Sequence, residues 1–95
     1  MDLPRRVLDA KQIDFGWPVT GYLCLVELQP PCLLCVIFCD ALKRFEDGAY
    51  IRTSALARVF QSENYLLFET FIGSRYVLCD WLDDSGAVEA IRVFH

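Results

Sequence analysis

The tightest constraint on the fold lies between Ala55 and Trp81, where two turn signals can be checked against the alternation of apolar residues. Gly73-Ser74 reads as a two-residue hairpin loop with Ile72 opposite Arg75. Thr70 then faces Val77, Phe68 faces Cys79 and Leu66 faces Trp81, and these three pairs share one mainly apolar side. If Gln61 to Asn64 is the preceding four-residue loop, Phe60 faces Tyr65, and Val59, Ala57 and Ala55 join Leu66, Phe68 and Thr70 on that same side. The two turns, read independently, predict one common face. A third turn at Asp83-Asp84-Ser85-Gly86 would set Val88 opposite Trp81 and Ala90 opposite Cys79. It would also oppose Asp80 to Glu89, a like-charge pair, so the last segment reads either as a strand or as a short helix on the sheet.

The resulting expectation is an α+β chain, mainly β: an antiparallel meander sheet or a small, partly open β-barrel with one or two short helices. The meander runs from Ala49 to the end in about four strands, the usual size of a small sheet, joined by a strand near Tyr22 and, on one reading, another near Val36. Before it, Leu3 to about Gln12 predicts a short helix, with Pro4 in the first turn, Asp2 as a cap and Leu3, Val7, Leu8 and Ala10 as apolar positions. Phe15-Gly16-Trp17-Pro18 is a turn-rich junction, Val19 to Leu28 is dense in strand formers, and Pro30-Pro31 stops that strand. Cys32 to Gly48 admits two readings. A helix would align Leu34, Ile37, Phe38, Ala41 and Phe45; a strand over Leu33 to Cys39, followed by a turn or helical excursion at Asp40 to Asp47, is favoured by Val36-Ile37-Phe38.

Ninety-five residues fit one domain, divided into an N-terminal arm or helix (1–18), a strand-rich segment with a cysteine patch (19–47) and the meander (48–95). Hydrophobic residues make up 55% of the chain, enough to leave apolar surface after folding and to suggest a homo-oligomer or a protein bound to a partner. Nine basic against thirteen acidic side chains, with no basic run longer than Arg5-Arg6 or Lys43-Arg44, disfavour DNA binding, which draws affinity from many phosphate contacts. The start of the chain lacks the apolar core of an export signal, and the most apolar stretch, Tyr22 to Cys39, is interrupted by Glu27, Gln29, Pro30 and Pro31. Neither export nor membrane spanning is expected. The five cysteines, an odd number, are expected as free thiols in a reducing cytoplasm.

Chemistry is sparse. Cys32-x-x-Cys35 has no second pair with zinc-ligand spacing, and the strand-rich surroundings do not supply the helix end that lowers a redox thiol's pKa. The only histidine is His95, no carboxylate spacing singles out an acid or base, and no phosphate-loop or dinucleotide fingerprint is present. A non-enzymatic protein without cofactor or metal is expected. What remains is a set of arginines, hydroxyls and an aromatic ring: Tyr50, Arg52, Ser54 and Arg58 on one face if their strand runs straight, with Ser74, Arg75 and Tyr76 at and beyond the Gly73 turn. Guanidinium forks suit phosphate and a ring suits a base, so these seven are the candidate site for a phosphate-bearing ligand such as a cyclic nucleotide or an ADP-ribose derivative. The same residues are also ordinary in strands and turns, and Arg58 with Glu69 makes a natural solvated ion pair.

Asp47-Gly48-x-x-Ile51-x-Thr53-Ser54 and Thr70-x-x-Gly73-Ser74-x-Tyr76-x-Leu78 together resemble a pattern in short β-rich accessory proteins of bacteriophages, prophages and plasmids. The resemblance implies stoichiometric binding inside the bacterial host, in anti-defence, by sequestering a nucleotide signal or a host defence protein. Two alternatives stand beside it: an immunity-type or scaffold protein with one cognate protein partner, and a small nucleotide-processing enzyme.

Overall fold

The computed structural model describes residues 2–83. The expected third turn and the segment after it lie outside the described residues. Within them the chain forms α1 (Arg5–Lys11), β1 (Gly21–Gln29), β2 (Cys32–Phe38), β3 (Ala49–Arg52), β4 (Leu56–Ser62), β5 (Tyr65–Thr70) and β6 (Arg75–Leu78). The protein is mostly sheet, as its alternating β-branched and aromatic residues predict. The ambiguous cysteine-rich segment is strand β2.

The six strands make one open, mixed sheet in the order β3-β2-β1-β6-β5-β4. It consists of two antiparallel meanders, β1-β2-β3 and β4-β5-β6, joined by a parallel ladder in which Gly21, Tyr22 and Leu23 pair with Tyr76, Val77 and Leu78. The expected single meander from Ala49 onward is therefore corrected: β3 pairs with β2, and β4 lies at the opposite edge. The cause is visible at Thr53, which clamps Leu33 twice. Its N–H donates to the Leu33 carbonyl (2.9 Å) and its Oγ1 accepts from the Leu33 N–H (3.0 Å). The Leu56 N–H then donates to Pro31 O (2.8 Å), holding the chain beside the β1-β2 hairpin as it leaves for β4.

Only residues 53–55 separate these two edge strands. An extended chain covers at most about 3.6 Å per residue, so the ends of the edges lie within roughly 14 Å and the sheet must curl around its inner face. It stops short of closing into a barrel. Leu23, Leu33 and Ile37 on β1 and β2, Ile51 on β3, Val59 on β4 and Phe68 on β5 meet in one core inside the curl, joined by Tyr76 and Leu78. The outer face has its own core, where Val7 and Ala10 of α1 and Phe15 cover Cys24, Phe38, Leu67, Val77 and Cys79. Val7 and Ala10 are three apart and so share the buried side of α1. The helix begins after Pro4, whose carbonyl accepts from Val7 and Leu8; no side chain caps it, so the expected Asp2 cap is not made.

Turn chemistry decides which residues reach each face. Ser62 pairs with Tyr65 across a two-residue loop, with Glu63 and Asn64 both at positive φ (53° and 68°), the twist that suits a tight hairpin. Phe60 thus opposes Leu67 rather than Tyr65, a shift of two that leaves Val59 and Phe68 on the predicted common face. The next turn is wider than expected. Thr70 donates its N–H to Ser74 O (2.9 Å) and accepts from the Ser74 N–H at Oγ1 (3.1 Å), with Gly73 at φ +93°. Phe68 consequently opposes Tyr76 instead of Cys79, a shift of three, and an odd shift exchanges faces. Tyr76 and Leu78 point inward, Val77 and Cys79 outward.

In β1, Leu25 sits at φ +50° within a register shift between Cys24 and Glu27, which brings both Leu23 and Val26 to the inner face. Asp80 holds this irregularity, its side chain accepting from Leu25 N–H (2.6 Å) and its carbonyl from Val26 N–H (3.2 Å). Among the described residues no helix is long and apolar enough to cross a membrane.

Candidate functional site

The outer face of the β4-β5-β6 meander carries a row of three charges in direct register: Arg58 opposite Glu69, and Glu69 opposite Arg75. Arg58 Nε donates to one carboxylate oxygen (2.8 Å) and Arg75 Nε to the other (2.9 Å). Hydrogen bonds from Arg75 and then Arg58 hold the Glu69 carboxyl below its ordinary pKa, so it remains ionised. Two guanidiniums against one carboxylate leave the row with a net positive charge. Each fork also has more N–H donors than one carboxylate oxygen can satisfy.

Two aromatic rings close the row. Arg75 lies 5.2 Å over Trp17 and Arg58 lies 5.7 Å over Phe60, while the two rings approach to 5.6 Å between centroids in a tilted contact. Phe60 arrives by alternation, two residues beyond Arg58 on β4. Trp17 is brought by its downstream neighbour Thr20, whose N–H donates to Arg75 O (2.6 Å) and whose Oγ1 accepts from the Arg75 N–H (2.9 Å). Trp17, Ala57, Arg58, Val59, Phe60 and Arg75 line a groove of about 520 Å³. It offers flat apolar walls beside two cations, a combination that can hold an anionic group and a planar ring together.

Of the seven residues expected in a site, the structure brings Arg58 and Arg75 together and disperses the rest. Tyr50 and Arg52 lie on β3 at the far edge in strand order; Tyr50 is exposed and Arg52 donates to Gln29 Oε1 (3.1 Å). Ser54 is exposed in the connection that interrupts the expected straight strand, so it shares no face with Arg58. Ser74 is buried within its turn. Tyr76 is 3% exposed in the inner core and its hydroxyl accepts from Arg44 (3.2 Å), so it presents no stacking surface. Trp17 and Phe60 are not among the seven, and Glu69 is expected only as the ion-pair partner of Arg58. The alternation of Arg58 with Phe60 was readable in the sequence; the approach of Trp17 depends on a pairing between Thr20 and Arg75 with no local signature.

Elsewhere, Asp40 is a buried carboxylate that accepts from the N–H groups of Leu42, Arg44 and Phe45 and is paired with the Arg44 guanidinium. Burial pushes its pKa up, but the Arg44 side chain and the backbone N–H groups outweigh this and hold it below its ordinary value. The Cys32-x-x-Cys35 pair lies within β2, where a separation of three residues sends the two side chains to opposite faces. No family model, curated protein or solved structure matches this chain.

Proposed function

We propose that the protein acts by stoichiometric binding and that the groove between Trp17, Phe60, Arg58 and Arg75 takes a planar, phosphate-bearing ligand of the nucleotide class. The observation that carries this reading is the convergence of two arginine–aromatic stacks on one carboxylate. Phosphate oxygens would compete with Glu69 for donors that it does not saturate, and a base would lie against the indole or phenyl ring. The resemblance to phage and plasmid accessory proteins supplies the setting: sequestration of a nucleotide signal in an infected bacterium. A second reading, binding of one cognate protein, draws on the β5–β6 turn, where Phe71 and Ile72 are 76% and 69% exposed side by side.

A thermal-shift screen of the reduced protein against cyclic di- and trinucleotides, ADP-ribose derivatives and mononucleotides tests the first reading. A ligand at a hundredfold excess over its Kd stabilises the native state by about 2.7 kcal/mol. The expected result is a selective rise in Tm that Arg75→Ala or Trp17→Ala removes and Arg52→Ala leaves intact. A flat panel, or a shift abolished equally by Arg52→Ala, would reject the groove as the site.

A further inference from the structure

Cys24 and Cys79 stand at neighbouring positions on the two central strands. Leu23 pairs with Leu78 in the parallel β1–β6 ladder, and the ladder continues through the Cys79 N–H, which donates to Leu23 O (2.7 Å). The cysteines are the residues that follow this pair, Cys24 within β1 and Cys79 just past the end of β6. Both are buried on the outer face, 5% and 8% exposed, in the same core cluster. Adjacent strands run about 4.8 Å apart, within the Cα separations of about 4.4–6.8 Å that a disulfide tolerates. No other two of the five cysteines occupy such neighbouring positions: Cys35 pairs with Ile51, Cys32 with Gln29, and Cys39 follows the end of β2.

We propose that Cys24 and Cys79 form an oxidisable dithiol, a modification site that closes to a disulfide with peroxide and staples the two meanders of the sheet together. The β1–β6 ladder that joins the meanders pairs only three residues on each strand, so the bond would fall at a short seam of the sheet. The pair is chemically polarised. A hydrogen bond from the Cys79 thiol lowers the pKa of Cys24, while the same bond and burial raise that of Cys79, so Cys24 is the sulfur that ionises first. Cys35, on the inner face, is instead pushed up to about 12 by burial. Access exists from the Cys79 side, which lines a cavity of about 690 Å³ among the described residues together with Arg6, Asp9, Asp80 and Trp81.

The chemistry balances without any further reactant. The Cys24 thiolate attacks one peroxide oxygen, the O–O bond breaks, and hydroxide leaves as a sulfenic acid forms. The Cys79 sulfur then attacks the sulfenic sulfur, the S–O bond breaks, and a second hydroxide departs. With two protons these leave as two waters, and two thiols have been oxidised by one peroxide.

The test uses the full-length reduced protein, treated with hydrogen peroxide in native buffer, then alkylated and mapped by peptide mass spectrometry. The expected result is loss of two of the five thiols, one linked peptide joining Cys24 to Cys79, reversal by dithiothreitol, and a Tm that rises on oxidation. Cys24→Ala should leave the four remaining thiols alkylatable, while Cys39→Ser should leave the link unchanged. A dominant link through Cys32, Cys35 or Cys39, an intermolecular disulfide, or five intact thiols after treatment would overturn the proposal. The wild-type map decides the question even if Cys24→Ala fails to fold.

Discussion

The two faces of this sheet share one backbone and differ in how they are covered. The inner face is covered by the sheet's own curl, and strands from both edges contribute Ile51 and Val59 to the same core. The outer face is covered by added parts: α1 over Cys24, Leu67 and Val77, and the Phe15 to Trp17 segment, whose rings meet Tyr65 and Phe60. A face that closes on itself has no room for charge. The one covered from outside ends in a margin, and there the Arg58–Glu69–Arg75 row and its groove are found. The comparison teaches that charge and an open groove collect at the edge of an incomplete second layer, while the self-covered face is apolar.

The sharpest way to break this comparison is to truncate each face in turn. Phe68 and Leu67 are adjacent on β5, both 0% exposed, and point to opposite cores. Phe68→Ala should cost about 4 kcal/mol and Leu67→Ala about 3 kcal/mol, read from urea denaturation midpoints. A loss below about 1 kcal/mol for Leu67→Ala would mean that the outer layer is a loose cover and that the two faces are not both cores.

A smaller effect is expected where the loop after β2 is tied to the inner core. Arg44 pairs with Asp40 and also donates to the Tyr76 hydroxyl of the inner core. Asp40→Asn keeps the shape but removes the charge and one acceptor oxygen, and should lower stability by about 2 kcal/mol in the same experiment. No change would show that the loop at 41–45 is held by other contacts.

The smallest effect concerns pH. Asp40 and Glu69 have folded pKa values below their ordinary 3.8 and 4.5. Each therefore contributes stability that is fully present above those ordinary values and is lost as pH falls through the depressed ones. Urea midpoints should be flat with respect to these groups from neutral pH down to about 5 and then drop. Glu69→Gln should remove part of the acid drop while shifting the neutral midpoint little, because the arginine partners of this ion pair are solvent-exposed. An unchanged acid limb in that variant would break the assignment of Glu69 as an ionised bridge.

Much of the fold could be read along the chain, and the errors are as instructive as the successes. Val59 and Phe68, expected on one face, stay there because a shift of two at the Glu63-Asn64 turn preserves the alternation. Val77 and Cys79 are expected on that same face but point outward, because the Thr70 hydroxyl widens the following turn and an odd shift reverses every residue of β6. In the candidate groove, the guanidiniums of Arg58 and Arg75 are conspicuous in the sequence, whereas Glu69 reads there only as an ion-pair partner of Arg58 although it bridges both. Tyr50, Arg52 and Ser54 share a face with Arg58 only on a straight strand, which the clamp of Thr53 on Leu33 interrupts.

By itself the sequence determined a β-rich chain with a short N-terminal helix, the hairpins on either side of β5, and that Val59 and Phe68 seek a common core. Those properties follow from alternation and turn chemistry, which act over a few neighbouring residues. Only the tertiary structure decided that β3 and β4 part to opposite edges, that β1 lies parallel to β6, and that Trp17 reaches Phe60 and Cys24 reaches Cys79. Those contacts join residues some 40 to 60 positions apart, as Thr20 and Arg75 show with a separation of 55. Many registers bury similar apolar area, and the choice among them falls to how the whole sheet curls and what remains to cover its outside.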